Sequence, residues 1–217
     1  MIGQENPPER LRTPYGTFIQ YTFPEPQTGK KHVALTLGKW AKDRPVPVRI
    51  HSECLTGDVF GSARCDCGDQ LDLALQAFQS WGVGILVYLR QEGRGIGLLN
   101  KIKAYQLQDQ GLDTVDANLA LGFSADERKY DLAAEILKRL EVSTISLLTN
   151  NPDKMISMRN LGIDVVDRIP IESNIKPEAR NYMRTKTERM GHISSPEPVG
   201  VESTFPCGCS RLMAVVV

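Results

Sequence analysis

Apolar residues recur in two rhythms along this chain, and the rhythms predict most of its elements. Runs rich in β-branched and aromatic residues occupy positions 17–23, 33–37 and 46–50, and each predicts a strand. Leu71, Leu75 and Phe78 recur at helical spacing, with Leu73, Ala74 and Ala77 widening the stripe, so residues 69–81 predict a helix that Gly82 and Gly84 close. Residues 84–89 form a short apolar run of the buried-strand type. A glycine-rich turn over 91–97 leads into a helix over 98–110, with Leu98, Ile102 and Tyr105 on one face. Further helices are predicted over 131–140, from the Asn151-Pro152 start to near Gly162, and over 177–190. Residues 143–148 and the Val165-Val166 pair predict two more strands.

Strand, loop and helix alternate, which predicts an α/β fold: a single domain with a mixed, partly parallel sheet flanked by helices. In such sheets ligands collect at the loops that follow the strands. The pattern covers residues 13–193. Residues 1–12 are expected to be an N-terminal extension, and residues 194–217 a disordered tail containing Cys207 and Cys209.

Composition narrows the function classes. With 26 basic and 26 acidic residues the formal net charge is zero, which argues against a nucleic-acid or membrane-surface partner but leaves room for a small anion. No run approaches the ~18 apolar residues of a membrane helix, and the polar start lacks a signal-peptide core, so the cytoplasm is expected. The 5 cysteines fall in two tight groups, which in a reducing compartment reads as metal binding or reactive thiols rather than a disulfide framework.

Cys54, Cys65 and Cys67 share one short polar segment. Three thiolates leave a fourth position open, as in a catalytic Zn²⁺ site. His51, three residues before Cys54, offers a further ligand; buried free thiols are the bland alternative. Arg49, Arg64, Arg90, Arg94, Lys101 and Lys103 surround this segment and the glycine-rich turn, where backbone N–H groups and a helix N-terminus suit an anion. Thr149 to Lys154 also joins a strand to a helix, and reads equally as a phosphate loop or as a capped helix start. Asp126, Glu127 and Arg128 form a charged trio that by itself fits a solvated face.

Taken together these segments resemble the GTP cyclohydrolase II family. RIHSECLTGD from Arg49 and RCDCG from Arg64 look like the family's zinc segment. RQEGRGIGL from Arg90, NKIKAY from Asn100, QDQG from Gln108, DTVDAN from Asp113, Gly122-Phe123, DER from Asp126 and LTNNP from Leu148 continue in the same order. The resemblance runs over residues 13–192. It implies zinc on Cys54, Cys65 and Cys67, with His51 moved from ligand to substrate segment. It implies GTP bound by Arg49, Ile50, His51, Ser52, Glu53, Gln70, Glu92, Gly93, Arg94, Thr114, Thr149 and Lys154, with Mg²⁺ on the triphosphate. Tyr105 matches a tyrosine of the ring-opening step, Asp126 a proton acceptor and Arg128 a nucleophile toward the α-phosphorus. A guanidinium stays protonated, which favours a clamp over a nucleophile at Arg128.

The implied reaction opens the guanine imidazole ring of GTP. It releases formate and pyrophosphate and gives 2,5-diamino-6-hydroxy-4-(5-phosphoribosylamino)pyrimidine, the first committed step of riboflavin synthesis. A homodimer is implied. A monofunctional enzyme is expected, because the butanone-phosphate synthase half of many relatives has no counterpart. The alternatives are a same-fold GTP ring-opening enzyme of another pathway and a non-catalytic GTP-binding relative. A structural zinc module for nucleic acid conflicts with the zero net charge.

Overall fold

The computed structural model describes residues 6–173 and 176–193. The expectations for residues 194–217, including Cys207 and Cys209, lie outside the described residues. The chain runs through β1 (Glu9–Thr13), β2 (Gly16–Pro24), β3 (Lys31–Leu37), β4 (Val46–Ser52), α1 (Leu55–Asp58), α2 (Cys67–Trp81), β5 (Gly84–Leu89), α3 (Leu98–Asp109), α4 (Thr114–Ala120), α5 (Asp131–Arg139), β6 (Thr144–Leu148), α6 (Pro152–Asn160), β7 (Asp164–Ile169) and α7 (Arg180–Met190). Short 3₁₀ turns cover Glu92–Gly95 and Pro177–Ala179.

Among the described residues one sheet holds all 7 strands, in the order β1-β2-β3-β5-β4-β6-β7. The β1, β2, β3 and β5 pairings are antiparallel, while β5, β4, β6 and β7 run parallel, so the predicted mixed sheet is present. The polar residues Glu9–Thr13, which the apolar pattern passes over, pair with β2 as an edge strand. An edge needs few apolar side chains because its outer backbone faces water.

Two cores lie on opposite faces. On one, Val46, Val48, Ile50, Ile85, Val87 and Leu89 meet α5 and α6 through Ala133, Ile136, Leu137 and Met158. On the other, Phe18, Leu35 and Leu86 meet Ala74, Leu75 and Phe78 of α2. Ile136 and Leu137 are fully buried, and each contributes about 1.5–3 kcal/mol by leaving water. Because strand side chains alternate, the residues between the apolar ones of β4, Arg49 and His51, point to the α2 side. There they are buried, with 5% and 2% exposure. The parallel register sets His51 beside Tyr88, and their rings stack at 5.4 Å.

Helix starts follow local chemistry. Asn151 caps α6 through Asp153 N at 2.9 Å, with Pro152 in the first turn, as its sequence predicts. Asp113 caps α4 through Val115 N and Asp116 N. At four and seven residues, α1 and α4 are too short for a helical period to show.

Candidate functional site

The site gathers at the ends of β4, β5 and β6. Cys54 precedes α1, Cys65 lies in the α1–α2 loop, and Cys67 opens α2, which begins two residues before the apolar stripe predicts. The Asp58 carboxylate holds this hairpin of helices together. It accepts hydrogen bonds from Cys54 N at 3.0 Å, Tyr88 Oη at 2.8 Å and His51 Nε2 at 3.0 Å. His51 therefore turns away from the sulfurs toward Asp58, and is not the fourth ligand its spacing offers. Burial pushes its pKa below the ordinary value although Asp58 works the other way. Gly57 packs on the thiols, where a Cβ would sit 3.0 Å from Cys65 Sγ and 3.1 Å from Cys54 Sγ.

The three sulfurs lie within 4.8 Å of one another, and Cys54 Sγ is 3.7 Å from Cys65 Sγ. A tetrahedral Zn²⁺ with bonds of about 2.3 Å spaces its sulfurs about 3.8 Å apart, so the cluster fits this ion. Lys101 closes one side. Its Nζ donates to Cys54 Sγ at 3.2 Å, to Thr56 Oγ1 at 2.9 Å and to Glu92 Oε1 at 2.8 Å. Hydrogen bonds from Cys65 and Cys67, and then Lys101, hold the Cys54 thiol far below its ordinary pKa. The bond to Cys54 pushes Cys65 up to about 11. Cys54 is thus the first thiolate formed, and a divalent cation among the sulfurs would favour ionising the others. Burial works against a charge on Lys101, but Cys54 and Glu92 raise its pKa above the usual value.

The glycine-rich turn is left-handed over three residues, with φ of 63° at Gly93, 59° at Arg94 and 97° at Gly95. That conformation costs glycine little but strains Arg94, as is common where a side chain must be aimed. The Arg94 carbonyl accepts from Glu127 N at 3.0 Å, which ties the turn to the loop carrying Asp126 and Arg128. Arg128 grips Asp126 as a fork. Its Nε donates to Oδ1 at 2.8 Å, its Nη2 donates to Oδ2, and its own N–H reaches Oδ1 at 3.0 Å. Burial alone would raise the Asp126 pKa, but Arg128 and Arg94 pull it below the usual carboxylate range. Burial likewise opposes the Arg128 charge, while Tyr130 and Asp126 lift its pKa further above the ordinary value. Asp126 and Arg128 of the trio are therefore a structured ion pair, while Glu127 is exposed as a solvated face would have it.

Two cavities adjoin at this point. One, of about 600 Å³, is walled by the three cysteines together with Glu53, Glu92, Gly93, Tyr105 and Thr114. The other, of about 540 Å³, is walled by Arg49, His51, Gln70, Thr149, Lys154 and Lys186. Ser52, Cys67, Arg94, Arg128 and Tyr182 line both. Asp126 enters only through Arg128. Ile50 buries its side chain in the opposite core and enters through its carbonyl, which accepts from Lys154 Nζ at 2.8 Å.

The second cavity is cationic. Arg49, Arg94, Arg128, Lys154 and Lys186 face it. Arg49 Nη2 bonds Gln70 at 2.6 Å and Nη1 the Leu148 carbonyl at 3.0 Å. Arg49 Nε, His51 Nδ1, Ser52 Oγ, both terminal nitrogens of Arg94 and His192 Nε2 are buried with no hydrogen-bond partner among the described residues. Unsatisfied buried polar atoms are rare in folded proteins, and this concentration along one cavity marks a site shaped for a polar, anionic ligand.

Three lining residues escape the sequence reading: Tyr182, Lys186 and His192. They sit on or just after α7, whose pattern shows only an amphipathic helix; the spacing of Tyr182 and Lys186 on one face is the signal that was available. His192 has its pKa lowered to about 3 by burial and by Lys186, Arg128, Lys154 and Arg94. A histidine kept neutral in the fold takes up its proton more readily when unfolded. Its contribution to stability is therefore intact above about pH 6.5 and is lost progressively as pH falls toward 3. Thermal melts between pH 7 and 4 should show stability falling less steeply in His192→Gln than in wild type; equal slopes would refute the assignment.

A sequence profile described as GTP cyclohydrolase II matches residues 4–170. Three curated relatives, each named GTP cyclohydrolase-2, are similar over most of their length. That of Shewanella amazonensis is 52% identical over 188 residues, covering 87% of this chain and 92% of the relative. That of Aeromonas hydrophila is 54% identical over 184 residues, covering 85% and 93%. That of Buchnera aphidicola is 55% identical over 183 residues, covering 84% and 93%.

Proposed function

This chain belongs to the GTP cyclohydrolase II family, and from that premise we propose that it hydrolyses GTP with zinc, releasing formate and pyrophosphate and leaving the 2,5-diaminopyrimidine nucleotide. The observation that carries the reading is the junction of the two cavities: a cluster of three thiols with zinc spacing opens directly onto a cavity lined by three arginines and two lysines. A nucleobase needs the first kind of environment and a triphosphate the second.

The balance of the reaction fixes what the residues must do. Two waters add at C8 of the base, which leaves as formate, and a third adds at the α-phosphorus, which expels pyrophosphate. Cys54, Cys65 and Cys67 would hold Zn²⁺, which supplies a water whose pKa is lowered toward 7 for the attack on C8. Glu92 accepts from Lys101 Nζ and from Leu55 N at 2.6 Å, which orients its carboxylate beside the thiols. Tyr105, on the wall of the same cavity, is in place to pass a proton to a ring nitrogen; burial raises its pKa, so its hydroxyl stays protonated. Arg94 and Arg128 stand where the two cavities meet, the natural position for an α-phosphate between base and pyrophosphate. Arg49 extends the positive charge along the second cavity. Burial, Arg49 and Arg128 lower the pKa of Lys154, and a triphosphate beside it would favour its charged form. Mg²⁺ on the triphosphate would neutralise the rest. Enclosure by buried groups keeps bulk water from screening these contacts.

The test is a paired assay. Zinc-loaded protein given GTP and Mg²⁺ should release formate and pyrophosphate with a diaminopyrimidine chromophore. Both products with a different chromophore would assign the ring opening to another pathway, and neither product would leave a GTP-binding protein.

A further inference from the structure

The residues that close the cationic cavity from above belong to α7, which lies beyond the segment matched by the family profile. Helix α7 is anchored at its C-terminal end. Arg189 pairs with Asp113 and, at 2.9 Å, with Asp116, the cap and first turn of α4. Past its C-terminus, Ile193 N donates to the Asn150 carbonyl at 2.9 Å, and Asn150 is in the loop between β6 and α6. About two turns and one turn before these anchors, Tyr182 and Lys186 line the cavity, and Lys186 Nζ lies 4.5 Å from the Tyr182 ring centroid. Lys186 is nearly buried, at 8% exposure, yet lines the cavity. Its Nζ donates to Asp66 Oδ1 at 2.5 Å, and Asp66 Oδ2 accepts from Gln70, which in turn bonds Arg49. An ammonium carries three N–H groups, and Asp66 takes one.

We propose that α7 is part of the substrate site, and that Lys186 is a triphosphate-binding residue which Asp66 orients toward the cavity, with the unpartnered His192 Nε2 lining the same space. The geometry has three supports. A buried lysine stem is an expensive way to make a salt bridge that a surface residue could make in water. Lys186 shares its cavity with the unpartnered Arg94 and His192 nitrogens, so the groups left wanting a partner and the ammonium face one space. The chain Lys186–Asp66–Gln70–Arg49 links two cations through one carboxylate, which holds them side by side without neutralising both. Two cations held together before the ligand arrives suit a polyanion, because the cost of bringing them close is already met in the fold.

The inference rests on the GTP reading, so the experiment separates the two. Formate and pyrophosphate release by the wild-type protein tests that reading by itself. Calorimetric titrations of the full zinc-loaded chain with inorganic triphosphate in Mg²⁺, and separately with guanosine, test the inference. Lys186→Ala should weaken triphosphate binding about tenfold or more and leave guanosine within about twofold, with zinc content unchanged. Lys186→Arg should restore most of the triphosphate affinity. Equal weakening toward both probes would assign Lys186 a structural role and overturn the proposal. So would unchanged triphosphate binding in Lys186→Ala, or a failure of Lys186→Arg to recover it. If Lys186→Ala does not fold, His192→Gln gives the same contrast: weakening confined to triphosphate supports the proposal, and equal weakening toward both probes, or unchanged triphosphate binding, overturns it.

Discussion

Cys54→Ser is expected to abolish formate release, with a loss of more than about 100-fold, while the fold survives. Even residues that only support metal ligands cost about 10–100-fold when removed, and Cys54 is itself a ligand candidate. Serine is a poorer donor, because its hydroxyl is not ionised near neutral pH whereas the Cys54 thiol is the most acidic of the three. The substitution also takes from Lys101 one of its three partners, leaving Glu92 and Thr56. Zinc measured per chain should fall from about one to a small fraction. The melting temperature should move by only a few degrees, since one sulfur contributes little apolar burial. Pyrophosphate release should outlast formate release, because the cations of the second cavity remain. Formate at the wild-type rate from a zinc-free Cys54→Ser protein would sink the zinc mechanism.

Arg128→Ala is expected to lose both products by about 10²–10³-fold, the usual cost of deleting a preorganised donor in an enclosed site. Arg128, like Arg94, lines both cavities and so is placed to serve both halves of the reaction. Its fork with Asp126 keeps the guanidinium charged and aimed, which describes a group that donates hydrogen bonds to a phosphate and does not attack it. Arg128→Lys keeps the charge and loses the fork, so it should recover only part of the rate. The alanine variant also leaves the Asp126 carboxylate half-buried without its main partner, at a cost of about 1–3 kcal/mol. Asp126→Asn added to Arg128→Ala should return some of that stability in a denaturant melt while restoring no activity. Wild-type pyrophosphate release from Arg128→Ala would remove Arg128 from phosphate chemistry, and a trapped phosphoramidate on Arg128 would replace the clamp with a nucleophile.

What the sequence revealed follows from which forces leave a periodic trace. Burial does, so the strands from β2 to β7 and the four longest central helices stand close to where apolar spacing puts them. β1 left no trace because an exposed edge strand is held by its backbone, and α1 and α4 left none because one or two turns contain no period. The cysteine cluster was legible from local spacing, and so was Arg94 in its glycine frame. His51 was misleading when read by spacing alone. Three residues before a cysteine suits a ligand on a helix or loop, but here the position lies on a strand, and alternation turns the side chain to Asp58. Tyr182, Lys186 and His192 were illegible because their meaning depends on contacts with residues more than a hundred positions earlier, such as Asp66.

The alternation along β4 couples stability to chemistry more tightly than either cavity does. Val46, Val48 and Ile50 belong to one core while Arg49 and His51 face the other side, within a single seven-residue strand. A slip of one residue against β5 or β6 would thrust two charged or polar side chains into hydrocarbon and strip the cavity of Arg49 in the same stroke. A misregistered chain therefore fails as a fold before it can persist as a weak catalyst. Evolutionary drift in this strand has little room, and changes of specificity in a chain built this way are confined to the loops and helices that surround it.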